Sequence, residues 1–214
     1  MVRSLALIAA LGTSSLASAE IVLGVGGGFS IDGSTVHTSD IEIGPVDGTP
    51  LENLGIEVRL FGLQHSLLGD LVVTLRHVES GASTTLFANV GQPASLFGSP
   101  ARLDGVYAFN DAALGFSSPN PNFWAAADAA GSGVVPNAFY YATGFGSDAF
   151  VSLNAAFAGV TSAGTWRLEI EDTFPAVDGG SLMKWAIQLT GTPVPAPGVV
   201  ALLGLAGLVG SRRR

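Results

Sequence analysis

At 214 residues the chain has room for one domain plus processing segments rather than for two full domains. It has no cysteine, which excludes disulfide staples and thiolate metal sites. Charged residues make up only 12% and glycines number 29, the composition of a Gly-rich, all-β exported protein rather than of a disordered acidic tail.

The N-terminus reads as an address. Arg3 is a short basic region, Leu5–Leu16 is an apolar or small-residue run, and Ala17-Ser18-Ala19 is an A-x-A cleavage site. Residues 1–19 are therefore expected to be a signal helix cut by signal peptidase after Ala19, the alternative being a buried first helix. The domain that follows, residues 20–192, holds all 17 acidic residues against Arg59, Arg76, Arg102, Arg167 and Lys184, a net charge of −12. Such a surface has no footprint for nucleic acid and is repelled by anionic lipid, so divalent cations are its more natural partners.

Along that domain, Gly24–Gly28 (GVGGG) reads as a flexible lead. A nucleotide-binding reading of it fails because no helix or βαβ unit follows. Ser39–Gly44 is a short strand closed by Pro45. Leu54–Leu60 alternates, with Leu54, Ile56, Val58 and Leu60 inward. Leu71–His77 and Thr84–Ala88 flank a turn and predict a hairpin. Residues 89–105 are loop-like, and Val106–Phe109 is a strand ending at Asn110-Asp111. Short helices fit only near Trp124–Ala130 and Leu153–Phe157.

The stretch Gly164–Gly191 contains two alternating runs. Trp166, Leu168 and Ile170 share one face of the first, and Trp185, Ile187 and Leu189 one face of the second. The connector Asp172–Gly180 is too long for a two-residue turn and reads as an irregular loop. Short strands punctuated by turns predict an antiparallel β-sandwich.

The C-terminal segment, residues 193–214, reads as a second address. A Pro-rich lead, Thr192–Pro197, precedes Gly198–Gly210, which carries no polar side chain, and Arg212, Arg213 and Arg214 follow. As a helix, Val194–Gly210 spans ~25 Å at ~1.5 Å per residue, short of a ~30 Å hydrocarbon core. The arginines would stay cytoplasmic, leaving the domain outside. This order resembles a PEP-CTERM sorting tail, with Val194-Pro195-Ala196-Pro197 in place of the Pro-Glu-Pro form. The resemblance implies transient anchoring in the inner membrane and processing by an exosortase-like sorting enzyme of Gram-negative bacteria; a plain anchor is the alternative.

Within the domain, Ile56-Glu57-Val58, His65 and Gly69–Leu75 resemble the first signature of the P domain (P/Homo B domain). Phe109-Asn110-Asp111-Ala112-Ala113 matches its FxDxA segment. Leu153, Phe157, Gly159, Gly164–Leu168, Asp172, Gly180 and Trp185 follow its closing order. The resemblance covers about Phe29–Gly191 and departs from the family in the long Ala-, Asn- and aromatic-rich loop Gly115–Gly146. It implies a jelly-roll-like β-sandwich that, elsewhere, sits behind the catalytic domain of subtilisin-type proteases and in some bacterial members binds calcium. No catalytic module is expected here, since GxSxG and HExxH motifs do not occur in the sequence. The expected role is a non-catalytic module displayed at the cell surface or outer membrane, or in the extracellular matrix, in structure, adhesion or ligand binding. Extracellular polysaccharide is its expected partner. The alternative is an accessory to a separate subtilisin-like protease.

Two candidate sites follow. Asp111, Asp172 and Asp178 occupy loop ends and could converge on one Ca²⁺, which takes six to eight oxygen ligands; turn capping is the alternative for each. Asp70 is read as a turn cap, and His65 as a structural hydrogen-bonder. In the long loop Trp124, Tyr140 and Tyr141, with Phe123 and nearby Asn side chains, have the chemistry of a face for sugar or peptide. The alternative is a loop folded onto the sandwich by its own aromatics.

Overall fold

The structure, a computed structural model, describes residues 18–33, 35–46, 48–92, 94–115, 120–174 and 179–194. The expected signal helix, the C-terminal apolar helix with its arginines, and Asp178 lie outside these residues.

Among the described residues there are eleven strands: β1 (Glu20–Ile31), β2 (His37–Ile43), β3 (Leu51–His65), β4 (Leu71–His77), β5 (Ser83–Ala88), β6 (Leu103–Asn110), β7 (Ala138–Tyr140), β8 (Ala142–Thr143), β9 (Phe150–Val151), β10 (Gly164–Asp172) and β11 (Gly180–Pro193). Two short helices, α1 (Phe123–Ala130) and α2 (Leu153–Ala156), interrupt the second half. One sheet has the order β1-β11-β3-β6-β7, the other β2-β10-β4-β5, and β8-β9 form a small third pair.

The period-two pattern decides what faces inward. Ile56, Val58 and Leu60 of β3 and Trp185, Ile187 and Leu189 of β11 are buried on one sheet. Trp166, Leu168 and Ile170 of β10 with Val73 and Leu75 of β4 are buried on the other, and all join one core. The two alternating runs of Gly164–Gly191 do not form a hairpin; they lie in different sheets. The β4–β5 hairpin forms as expected, with Val72 opposite Ala88.

Two expectations change. Residues Gly24–Gly28 are not a free lead but the middle of β1, paired along β11 from Glu20↔Gly191 to Ile31↔Gly180. Glycine is needed there for packing: a Cβ on Gly26 would strike the Trp185 indole, and one on Gly24 the Ile41 side chain. The sheets are also not wholly antiparallel. β7 runs parallel to β6, Phe109 beside Tyr140. A parallel neighbour needs a long crossover, and residues 111–137, which carry α1, supply it.

Candidate functional site

Asp111 and Asp172 are not brought together. Asp111 follows Asn110, the end of β6 that pairs with Glu57, whereas Asp172 meets His65, which pairs with Leu103 at the opposite end of β6. Seven residues of strand at ~3.3 Å each put the two carboxylates at opposite ends of the domain, so they cannot share one Ca²⁺. No group of three metal-ligating side chains occurs among the described residues.

Both carboxylates are instead bound into structure. Asp111 accepts from Ser152 Oγ (2.6 Å), Leu153 N (2.8 Å) and Asn154 N (3.2 Å), capping the open amides at the start of α2. Asp172 accepts from Phe174 N (2.8 Å), and its Oδ2 lies 3.3 Å from His65 Nε2, with both side chains fully buried. His65 Nδ1 lies against the Leu67 backbone, 2.8 Å from its carbonyl oxygen. This pair ties β3 of one sheet to β10 of the other. Asp70 is buried in the turn before β4, where its carbonyl accepts from Thr173 N and Oγ1. His77 meets Ser80 Oγ and the Ala163 carbonyl and packs edge-on against Trp166.

The aromatic loop is divided between core and surface. Tyr140 is fully buried and donates its hydroxyl to the Pro136 carbonyl (2.7 Å). Burial, with Tyr107 nearby, pushes that hydroxyl far above the usual phenol range. Phe123 is likewise buried, 4.7 Å from Phe87 and 4.9 Å from Tyr140 between ring centres. Tyr140 therefore belongs to the core, bordering a cavity of about 270 Å³ beside α1 from beneath. Tyr141 is 9% exposed; burial, and then the charge of Asp148, push its hydroxyl upward, while the Asn122 side chain pulls it down.

Trp124 reaches a different concave surface from the small one that Tyr140 borders. It lines a groove of about 530 Å³ between α1 and residues 90–100, into which Asp128 and Asp148 also come. That volume lies within the range of ligand pockets. The walls are fixed by sequence-local chemistry. Asn122 caps α1 by accepting from Trp124 N (2.9 Å) and Ala125 N (3.2 Å), and Gly131, at φ 59°, ends it. Alanines between favour helix. The opposite wall turns at Gly91 (φ 85°) and Gly98 (φ 67°), where a Cβ on either would meet backbone, and is held by Ser99 N to the Val90 carbonyl (2.6 Å) and Gly69 N to the Ser99 carbonyl (3.0 Å).

Asp128 and Asp148 are both exposed and neither makes an ion pair among the described residues. Sequence reasoning missed both. Asp128 was findable, since a helix places positions i and i+4 on one face and Trp124 is the i position. Asp148 comes from the turn between β8 and β9, and no local pattern marks it.

No family model and no curated protein matches the chain. Among solved structures it is similar to a serine protease of Aeromonas sobria. The crystal structure of that protease with its chaperone matches at 18% identity over 82% of this chain and 28% of that one, with a TM-score of 0.39. The structure of the protease of Aeromonas sobria matches at 17% identity over 80% and 27%, with a TM-score of 0.38. This chain thus spans under a third of the length of either.

Proposed function

We propose that this chain is an exported, non-catalytic, P-domain-like module of jelly-roll type, displayed at the cell surface or in the extracellular matrix, that works by holding a ligand. The observation that carries the reading is the split in its polar chemistry. The buried carboxylate and imidazole of Asp172 and His65 are turned on each other and on backbone, whereas the groove beside α1 presents an aromatic ring and two unpaired carboxylates to solvent. The signal-like N-terminus and the PEP-CTERM-like tail support the address. Among the described residues no helix is long and apolar enough to cross a membrane.

Fractionation of cells expressing the tagged full chain tests the address. Protease added to intact cells should remove it, and mass spectrometry should find Glu20 at its N-terminus. A cytoplasmic chain that keeps Met1–Ala19 overturns the reading. The P-domain motifs favour a second reading, an accessory to a separate subtilisin-like protease, and recovery of such a protease as a stoichiometric partner would select it.

A further inference from the structure

We propose that the groove between α1 and residues 90–100 takes a basic segment of a partner polypeptide, with a Lys or Arg side chain seated between Asp128 and Asp148 against the Trp124 ring. The inference rests on the ligand-holding reading above and deepens it.

Charge is the first argument. The groove carries two carboxylates and no cation, and the domain's five basic side chains are placed elsewhere. Arg59 pairs with Glu57, Arg76 with Glu169 and Arg167 with Asp40; Arg102 donates to the Ser132 carbonyl and Lys184 lies over Phe61. Nothing within the described molecule neutralises Asp128 or Asp148.

Helix electrostatics sharpens the point. Asp128 stands in the last turn of α1, whose carbonyl end is the negative pole and favours a cation; the last turn holds no basic residue. The sequence thus places an anion where the helix itself disfavours one, a local conflict of the kind that marks functional positions. An occupying cation relieves the carboxylate pair and the helix end together.

The indole supplies the third argument. Trp124 is half-buried, and its Nε1–H is shut off from water with no acceptor among the described residues. An indole face attracts ammonium and guanidinium groups, and an unpaired donor favours a neighbouring carbonyl. A polypeptide carries both a cation and carbonyls. A neutral sugar would stack on the ring but leave the two carboxylates uncompensated.

Titration of the full exported chain with tetralysine by calorimetry, at about 50 mM salt, tests the proposal. Tetralysine should bind, and the fully acetylated peptide, which has lost its side-chain charges, should not. D128N/D148N should weaken binding at least about tenfold, while D128N alone keeps or raises the melting temperature because it removes the anion from the helix end. D32N/D104N removes two charges outside the groove and should leave affinity within about twofold. Equal loss in both double variants would mean binding to net charge alone and would overturn the proposal. Binding of a neutral oligosaccharide such as chitotriose, lost in W124A, with no binding of tetralysine would overturn it too, yet would leave the ligand-holding reading standing. Binding of neither probe removes both.

Discussion

Asp172 and His65 show how a residue that reads as a metal ligand becomes a structural one. With both side chains fully buried, removing one partner strands the other's polar atoms away from water. Asp172→Ala should therefore destabilise by about 3 kcal/mol in urea unfolding, whereas Asp172→Asn, which retains an acceptor for Phe174 N, should lose less. Equal losses would mean that the carboxylate facing His65, and not the volume or the acceptor for Phe174 N that Asn retains, carries the contribution. At the surface the scale is smaller. Arg167 donates two 2.7 Å hydrogen bonds to Asp40 across the β2–β10 pair, and these hold the Asp40 carboxyl below its ordinary 3.8. A depressed carboxyl stabilises the fold above its unfolded value and loses that contribution as pH falls through the folded value. Because the pair is solvent-exposed, Arg167→Ala should cost under about 1 kcal/mol at pH 7, and the difference from the parent should vanish in acid below the Asp40 value. A difference that persists at pH 2 would assign it to packing.

At the scale of elements, glycine placement does the work that a hydrophobic pattern cannot. Gly26 lets β1 lie against the Trp185 indole, whose Nε1 donates to Ser39 Oγ (3.0 Å) and so joins the two sheets at their β1–β2 edge. Gly26→Ala should cost about 2 kcal/mol through overpacking, read as a lower urea midpoint at unchanged slope. Gly27→Ala is the control, since its Cβ meets nothing within 4 Å. A like loss at both positions would trace the effect to the β1 backbone and not to the Trp185 contact, because Gly→Ala by itself lowers the entropy of the unfolded chain and stabilises. The alternating strands β3, β4, β10 and β11 and the two short helices were legible from side-chain period alone. The reading of Gly24–Gly28 as a flexible lead failed because the residues that demand glycine, Trp185 and Ile41, lie far off in sequence.

For the whole molecule, the charge of −12 on residues 20–192 and the separation of Asp111 from Asp172 bear on calcium together. A folded-state site at a hundredfold excess over its dissociation constant would stabilise by ~2.7 kcal/mol. Millimolar Ca²⁺ against excess chelator should shift the melting temperature by less than about 2 °C, because such acidic surface without a formed ligand cluster binds ions only diffusely. A shift of several degrees abolished by Asp111→Asn would restore a calcium site at the start of α2.

The sequence by itself determined the all-β class, the inward faces of the long strands, and a strongly acidic surface with two address-like ends, because period, composition and charge are properties of neighbouring residues. Tertiary structure decided which sheet each strand joined, that β7 runs parallel to β6, and that Tyr140 turns into the core while Trp124 remains at a groove. It also brought Asp148 to the same groove as Asp128, twenty residues earlier in the chain. Those outcomes depend on contacts between distant segments, and no local pattern carries the packing energy that selects them.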